Sequence, residues 1–183
     1  EQKHSEAAPD LSESAYFEVF VAEQVLKDFD LSYDEILSGL TGGGGDGGID
    51  SAYLFINGDL ILEDTEFSGK KDVSIDVYFI QSKTSKSFSE SQLDRFVSTT
   101  NDVLDLSKDI GGLHHVYNKK LLDTIKKFRE AYKALASKFP TLRFLYYYAT
   151  KGDLAHPNVE RKIGQLRTSI KALFSSADFY FEF

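Results

Sequence analysis

Residues 45–64, GDGGIDSAYLFINGDLILED, together with residues 73–83, VSIDVYFIQSK, decide the fold. In the first stretch two apolar runs flank Asn57-Gly58, a dipeptide that joins antiparallel strands because both of its residues accept positive φ. The second stretch alternates and is rich in β-branched and aromatic residues, which predicts a third strand beyond the polar segment 65–72. Three successive strands predict a meander.

On the N-terminal side, SAYFEVFVAEQVLKDF (residues 14–29) places Phe17, Phe20, Val21, Val25 and Phe29 at helical spacing, with Ser14 as N-cap. LSYDEIL (residues 31–37) adds a further helical turn before the glycine run 41–48 breaks regular structure. On the C-terminal side, Ser89-x-x-Gln92 fits a capping box, and Leu93, Phe96, Val97 and Leu104 mark one helical face up to Gly111-Gly112. From Val116 to Phe139 the residues Tyr117, Leu121, Ile125, Phe128, Tyr132, Leu135 and Phe139 step by three or four, and Pro140 follows. LRFLYYYAT (residues 142–150) reads as a buried strand, residues 157–173 as a helix opened by Pro157, and ADFYFEF (residues 177–183) as a last strand. The predicted order is αβββααβαβ, an α/β domain with a central mixed sheet flanked by helices.

A chain of 183 residues, 42% hydrophobic, buries one good core, so residues 14–183 read as a single domain behind a loose lead-in at 1–13. The absence of cysteine excludes a disulfide framework, a thiolate zinc site and a cysteine nucleophile, and fits a reducing cytoplasm. No apolar run approaches the roughly 18 residues of a membrane span, and EQKHSEAAPD lacks the regions of a signal peptide. Methionine is missing throughout, including position 1, so the chain reads as a domain of a longer protein whose further parts are missing. The net charge of −8 argues against a nonspecific nucleic-acid coat. Residues 1–50 hold twelve acids and two bases, whereas the remainder holds seventeen acids and nineteen bases.

The glycine loop 45–48 delivers Asp50 to the start of a strand and gives the backbone room to turn and to be approached. In the third strand alternation sets Gln81 and Lys83 on a common face. If the two strands are close, a carboxylate, an amide oxygen and an ammonium surround one point, which is a site for a hard cation with a lysine beside it. Phosphodiester hydrolysis uses such parts: a cation that activates water, and a lysine that orients it or stabilises growing negative charge.

GDGGID, followed about thirty residues later by IQSK, resembles the PD-(D/E)xK nuclease superfamily in its Mrr-type variant, where glutamine replaces the second acid. The glycine loop, the Asn-Gly hairpin and the QSK strand together look most like the N-terminal domain of the AIPR abortive-infection phage-resistance proteins. The resemblance implies a restriction-endonuclease-like αβββαβ core and a metal-dependent endonuclease that cuts nucleic acid, DNA in preference, in antiviral defence. It implies Mg2+, with Mn2+ as an alternative, held by Asp50, Gln81 and Glu18, and a catalytic role for Lys83 beside these three. Superfamily members also place a glutamate in the first helix. On a helical wheel Glu18 falls within the apolar arc and Glu23 opposite it, so Glu18 is preferred and Glu23 held in reserve. A homodimer is left open. The alternative is a catalytically inactive domain that binds nucleic acid or assembles a larger defence protein.

Plainer readings stand beside these. Asp46, next to glycine, reads as a turn cap more readily than as a ligand. Lys119, Lys126 and Lys133 recur every seven residues and could hold a phosphate backbone, but read first as a solvated face. His114 and His115, adjacent on a loop, are expected to point apart, and Tyr146, Tyr147 and Tyr148 to belong to a buried strand. No Lys-Ser/Thr pair follows the glycines, which excludes a Walker nucleotide loop.

Overall fold

The structure is a computed structural model that describes residues 12–62, 65, 72–152 and 157–183. The first eleven residues of the expected lead-in, and parts of the segment 65–72, lie outside them. Five helices are described: α1 (Glu13–Val25), α2 (Tyr33–Ser38), α3 (Glu90–Val103), α4 (Lys119–Leu135) and α5 (Pro157–Leu173). The strands are β1 (Ser51–Ile56), β2 (Asp59–Leu60), β3 (Ser74–Lys83), β4 (Thr141–Thr150) and β5 (Asp178–Glu182).

The strands form one mixed sheet in the order β2-β1-β3-β4-β5. β1 pairs antiparallel with both β2 and β3, whereas β3–β4 and β4–β5 are parallel. The expected hairpin is present, with φ of 54° at Asn57 and 86° at Gly58, but its second strand is only two residues long. Asn57 also accepts the Ser74 N–H through its side chain, tying the turn to the start of β3.

Helices cover both faces. Leu54, Val77, Phe79, Phe144 and Tyr146 pack with α3, α4 and α5, and Tyr53, Phe55, Tyr78 and Ile80 pack with α1 and α2. β3 is therefore buried on both sides, which explains its nearly unbroken apolar run. A cross-strand ion pair, Arg143 Nε and Nη2 donating to Asp76 at 2.5 and 2.7 Å, joins β3 to β4 at one end.

Local details depart from the sequence reading in four places. The cap of α1 is Ser12, which accepts the Ala15 N–H, so the helix starts before Ser14. Its inward face is Val19, Val21 and Ala22, continued by Leu26; Phe17, Phe20, Val25 and Phe29 are only partly buried around it. The capping box at Ser89 does not form. The Ser89 hydroxyl bonds with that of Ser91 instead, and the Ser89 N–H donates to the Tyr148 hydroxyl. Finally, α4 stops at Leu135 and a short 3-10 turn follows, leaving Phe139 at φ 52° and 90% exposed. A residue before proline is forced out of the helical region, and here the chain reverses into β4 rather than finishing the apolar seam.

Asn118 caps α4 through its side chain, which accepts the Leu121 N–H, while its own N–H donates to Gly45 at 2.7 Å. Asn118→Ala is expected to lower stability by about 1 kcal/mol, measured by urea unfolding, with Asn118→Asp retaining most of the loss-free behaviour. Among the described residues no helix is long and apolar enough to cross a membrane.

Candidate active site

Asp50 is fixed by its backbone before its side chain does anything. Its N–H donates to Ile80 O and its C=O accepts the Thr41 N–H, both at 2.9 Å, so the loop is clamped between β3 and a residue three positions past α2. The side chain is buried, and Oδ2 takes three hydrogen bonds: from Gln81 Nε2 at 2.6 Å, Ser82 N–H at 2.8 Å and Ser82 Oγ at 3.0 Å. No hydrogen bond among the described residues reaches Oδ1. Burial pushes the Asp50 carboxyl above the usual carboxylate range, opposed by the Ser82 hydrogen bonds and the nearby charge of Lys83.

Gln81 is fully buried and shares the Asp50 end of the sheet. Its Nε2 bridges Asp50 Oδ2 and Ser82 O, so both neighbours of that nitrogen are acceptors and the amide orientation is fixed by them. The oxygen Oε1 is then left buried with no hydrogen-bond partner. Leaving a buried acceptor unsatisfied costs on the order of 1–3 kcal/mol, and such an orphan in an otherwise well-bonded fold asks for a ligand. The sequence reading expected the amide oxygen to serve the site; the structure adds that the amide nitrogen holds the carboxylate in place.

Glu18 approaches from α1, on the other helical layer. It is half-buried, and its carboxyl is raised chiefly by burial and then by the charge of Asp50, with Lys83 and a 3.4 Å hydrogen bond from Ser14 Oγ acting the other way. Ser14, expected to cap the helix, thus supports Glu18 one turn on. Glu23 is exposed and acts electrostatically on Tyr53 instead, so the structure brings Glu18 rather than Glu23 to Asp50 and Lys83. Lys83 is half-buried at the end of β3, and its side chain makes no hydrogen bond or ion pair among the described residues.

Asp46 accepts the Gly48 N–H at 2.7 Å, a turn-capping bond, although its charge also acts on Asp50 and Glu18. Gly47 and Gly48 have φ of 64° and 81°, and a Cβ on either would collide with Thr99 or Arg95 of α3. The sequence reading gave these glycines room for an approaching ligand; what approaches them is α3.

The remaining candidates sit elsewhere in character. Lys119 pairs with Asp123 at 2.6 Å and Lys126 with Glu130 at 4.0 Å, which matches a solvated helix face, and Lys133 closes the last turn of α4. His114 and His115 do not point apart: their ring centroids lie 3.5 Å from each other with the planes tilted by 48°, and His114 Nδ1 lies 2.6 Å from Gly111 O. Tyr146 and Tyr148 are core residues, with Tyr147 stacked on Tyr78.

Two participants escaped the sequence reading. Ser82 alternates to the opposite face from Gln81, yet serves Asp50 because Asp50 precedes β1 and meets the backbone of Ser82 directly. Arg95 carries no motif and is brought in only by the packing of α3 on Gly48. Among the described residues no three His, Asp or Glu side chains gather closely enough to hold a metal ion by themselves. The oxygen donors here are two carboxylates and one amide, a set suited to a hard divalent cation that keeps part of its water shell. Comparisons with models of protein families, with curated proteins and with solved structures return no match for this chain.

Proposed function

We propose that this domain is a metal-dependent endonuclease of the PD-(D/E)xK type, with a restriction-endonuclease-like core, that hydrolyses phosphodiester bonds of nucleic acid, DNA in preference. The observation that carries this reading is the buried, partnerless Oε1 of Gln81 beside a buried carboxyl whose Oδ1 is uncommitted. Two carboxyls raised by burial, one also by the other's charge, are the electrostatic condition that a bound cation relieves.

Asp50, Gln81 and Glu18 would hold Mg2+, or Mn2+ in its place. The cation supplies activation of water and neutralisation of charge on the phosphate. The chain's own residues do the rest. Ser82 and Gln81 Nε2 hold Oδ2, leaving the other oxygen of Asp50 for the cation. Lys83, whose side chain is in no ion pair among the described residues, orients the attacking water and stabilises the negative charge that grows on the phosphorus oxygens as water adds and the sugar oxygen leaves. A place in abortive infection against phage follows from the resemblance of residues 46–83 and is part of the same proposal.

A second reading, a catalytically silent nucleic-acid-binding or assembly domain, is favoured by the three donors already satisfying Asp50 Oδ2. Cleavage of plasmid and single-stranded DNA in Mg2+, Mn2+ or EDTA separates the two. Glu18→Gln is expected to weaken Mn2+ binding, read by calorimetry, on the order of tenfold, whereas Glu23→Gln leaves it unchanged. Equal effects of the two substitutions would remove α1 from the site.

A further inference from the structure

Arg95 lies in the second turn of α3, exposed, one residue before the buried Phe96. Its Cβ and Cδ are 2.9 and 3.3 Å from the position that a Cβ on Gly48 would occupy, and the partnerless Gln81 Oε1 is 3.6 Å from the same point. The aliphatic stem of Arg95 therefore covers the turn that leads into Asp50, next to the unpartnered oxygen of Gln81. Other cations of this region are committed: Arg129 donates to the carbonyls of Val103, Asp105 and Lys108, and Lys162 pairs with Asp94. The Arg95 side chain has no hydrogen bond or ion pair among the described residues, in a chain with 29 acids and 21 bases. An exposed arginine side chain without a partner among the described residues, its stem held over the turn into Asp50, is available to an anion from outside the chain.

We propose that Arg95 anchors a backbone phosphate of the nucleic acid, next to the one that is cut, by paired hydrogen bonds from its guanidinium to the two nonbridging oxygens. This rests on the nuclease reading for the identity of the ligand. Gly48 is part of the device: with a side chain there, the stem of Arg95 is displaced. Arg95 binds substrate and takes no proton, so its loss acts on KM more than on kcat.

The test compares the full chain with Arg95→Ala, Arg95→Lys and Lys27→Ala. Lys27 serves as the equal-charge control because it follows the end of α1 remote from Glu13, the residue that pairs with Lys151 just beyond β4. Labelled duplex DNA, single-stranded DNA and RNA are titrated in EDTA by fluorescence anisotropy across a salt series, and cleavage is followed separately in Mg2+. Arg95→Ala is expected to weaken binding of the preferred nucleic acid about tenfold and to flatten the slope of log affinity against log salt by about one, with Lys27→Ala unchanged and Arg95→Lys intermediate. Equal, small effects of Arg95→Ala and Lys27→Ala overturn the proposal even if the protein cuts DNA. Arg95-dependent binding without any cutting upholds it and sinks the endonuclease reading. Absence of binding to all three nucleic acids at low salt overturns both.

Discussion

Replacing Lys83 with alanine is expected to slow metal-dependent cutting of DNA by about 10²- to 10³-fold, the loss typical when one preorganised charge is removed from where negative charge develops. The fold should not register the change. Lys83 ends β3, its side chain half-buried and without a hydrogen bond or ion pair among the described residues, so the melting temperature is expected to stay within about 2 °C of the parent. The substitution has a second, independent readout. The charge of Lys83 holds down the carboxyls of both Asp50 and Glu18. Removing it lets both keep their protons to higher pH, so the acidic limb of the residual pH–rate profile moves upward, and Lys83→Arg moves it back. Metal-dependent cutting at the parental rate in Lys83→Ala would falsify the assignment of this lysine. No cutting by the parent in Mg2+ or Mn2+ would instead favour the silent binding domain.

Asp50→Asn should do two opposite things. It abolishes cutting, because an amide brings no charge to a divalent cation, and it stabilises the metal-free protein by on the order of 1 kcal/mol, a rise of about 2–4 °C in melting temperature. The sign follows from the raised carboxyl. Below the ordinary aspartate pKa the side chain is neutral in folded and unfolded chains alike and costs nothing. As pH rises past that value the unfolded chain releases its proton first, and stability falls until Asp50 has ionised in the fold as well. The advantage of Asp50→Asn therefore grows through this acidic window and then levels off. The asparagine oxygen can still accept from Ser82 N–H, Ser82 Oγ and Gln81 Nε2, so the packing is kept. Saturating Mg2+ should reverse the order, since about 100 times the dissociation constant of a ligand adds about 2.7 kcal/mol to the parent alone. A melting temperature that drops in Asp50→Asn at neutral pH, without metal, would mean that the ionised carboxylate is a structural group rather than a functional one.

What the sequence made legible depended on the range of the interaction. α4 could be read because its apolar steps of three and four are a local pattern, and so could the Asn57-Gly58 turn and the shared face of Gln81 and Lys83. Phe139 continued the α4 pattern yet lies in solvent, since the conformational demand of Pro140 overrode the periodicity. Ser89-x-x-Gln92 had the letters of a capping box, but a hydroxyl from β4, Tyr148, accepts the Ser89 N–H in place of the Gln92 side-chain oxygen. In the site, Asp50, Gln81 and Glu18 were named from spacing and from the family likeness. The direction of the Gln81 amide, the support from Ser82 and the arrival of Arg95 over Gly48 depend on contacts between distant segments, which no local pattern encodes.

The order of strands also divides the molecule in time. Asp50 meets Gln81 across 31 residues through antiparallel neighbours, whereas β3 reaches β4 only by closing 67, and parallel pairing cannot begin until α3 and α4 have been laid down between them. Longer closures are slower to find, so β1 and β3 should acquire amide protection before β4 and β5 do during refolding. Every side chain proposed to serve the cation and the water, from Glu18 to Lys83, precedes this crossover in the chain. The later strands then arrive as a buttress, their inward residues filling the core on which the site rests.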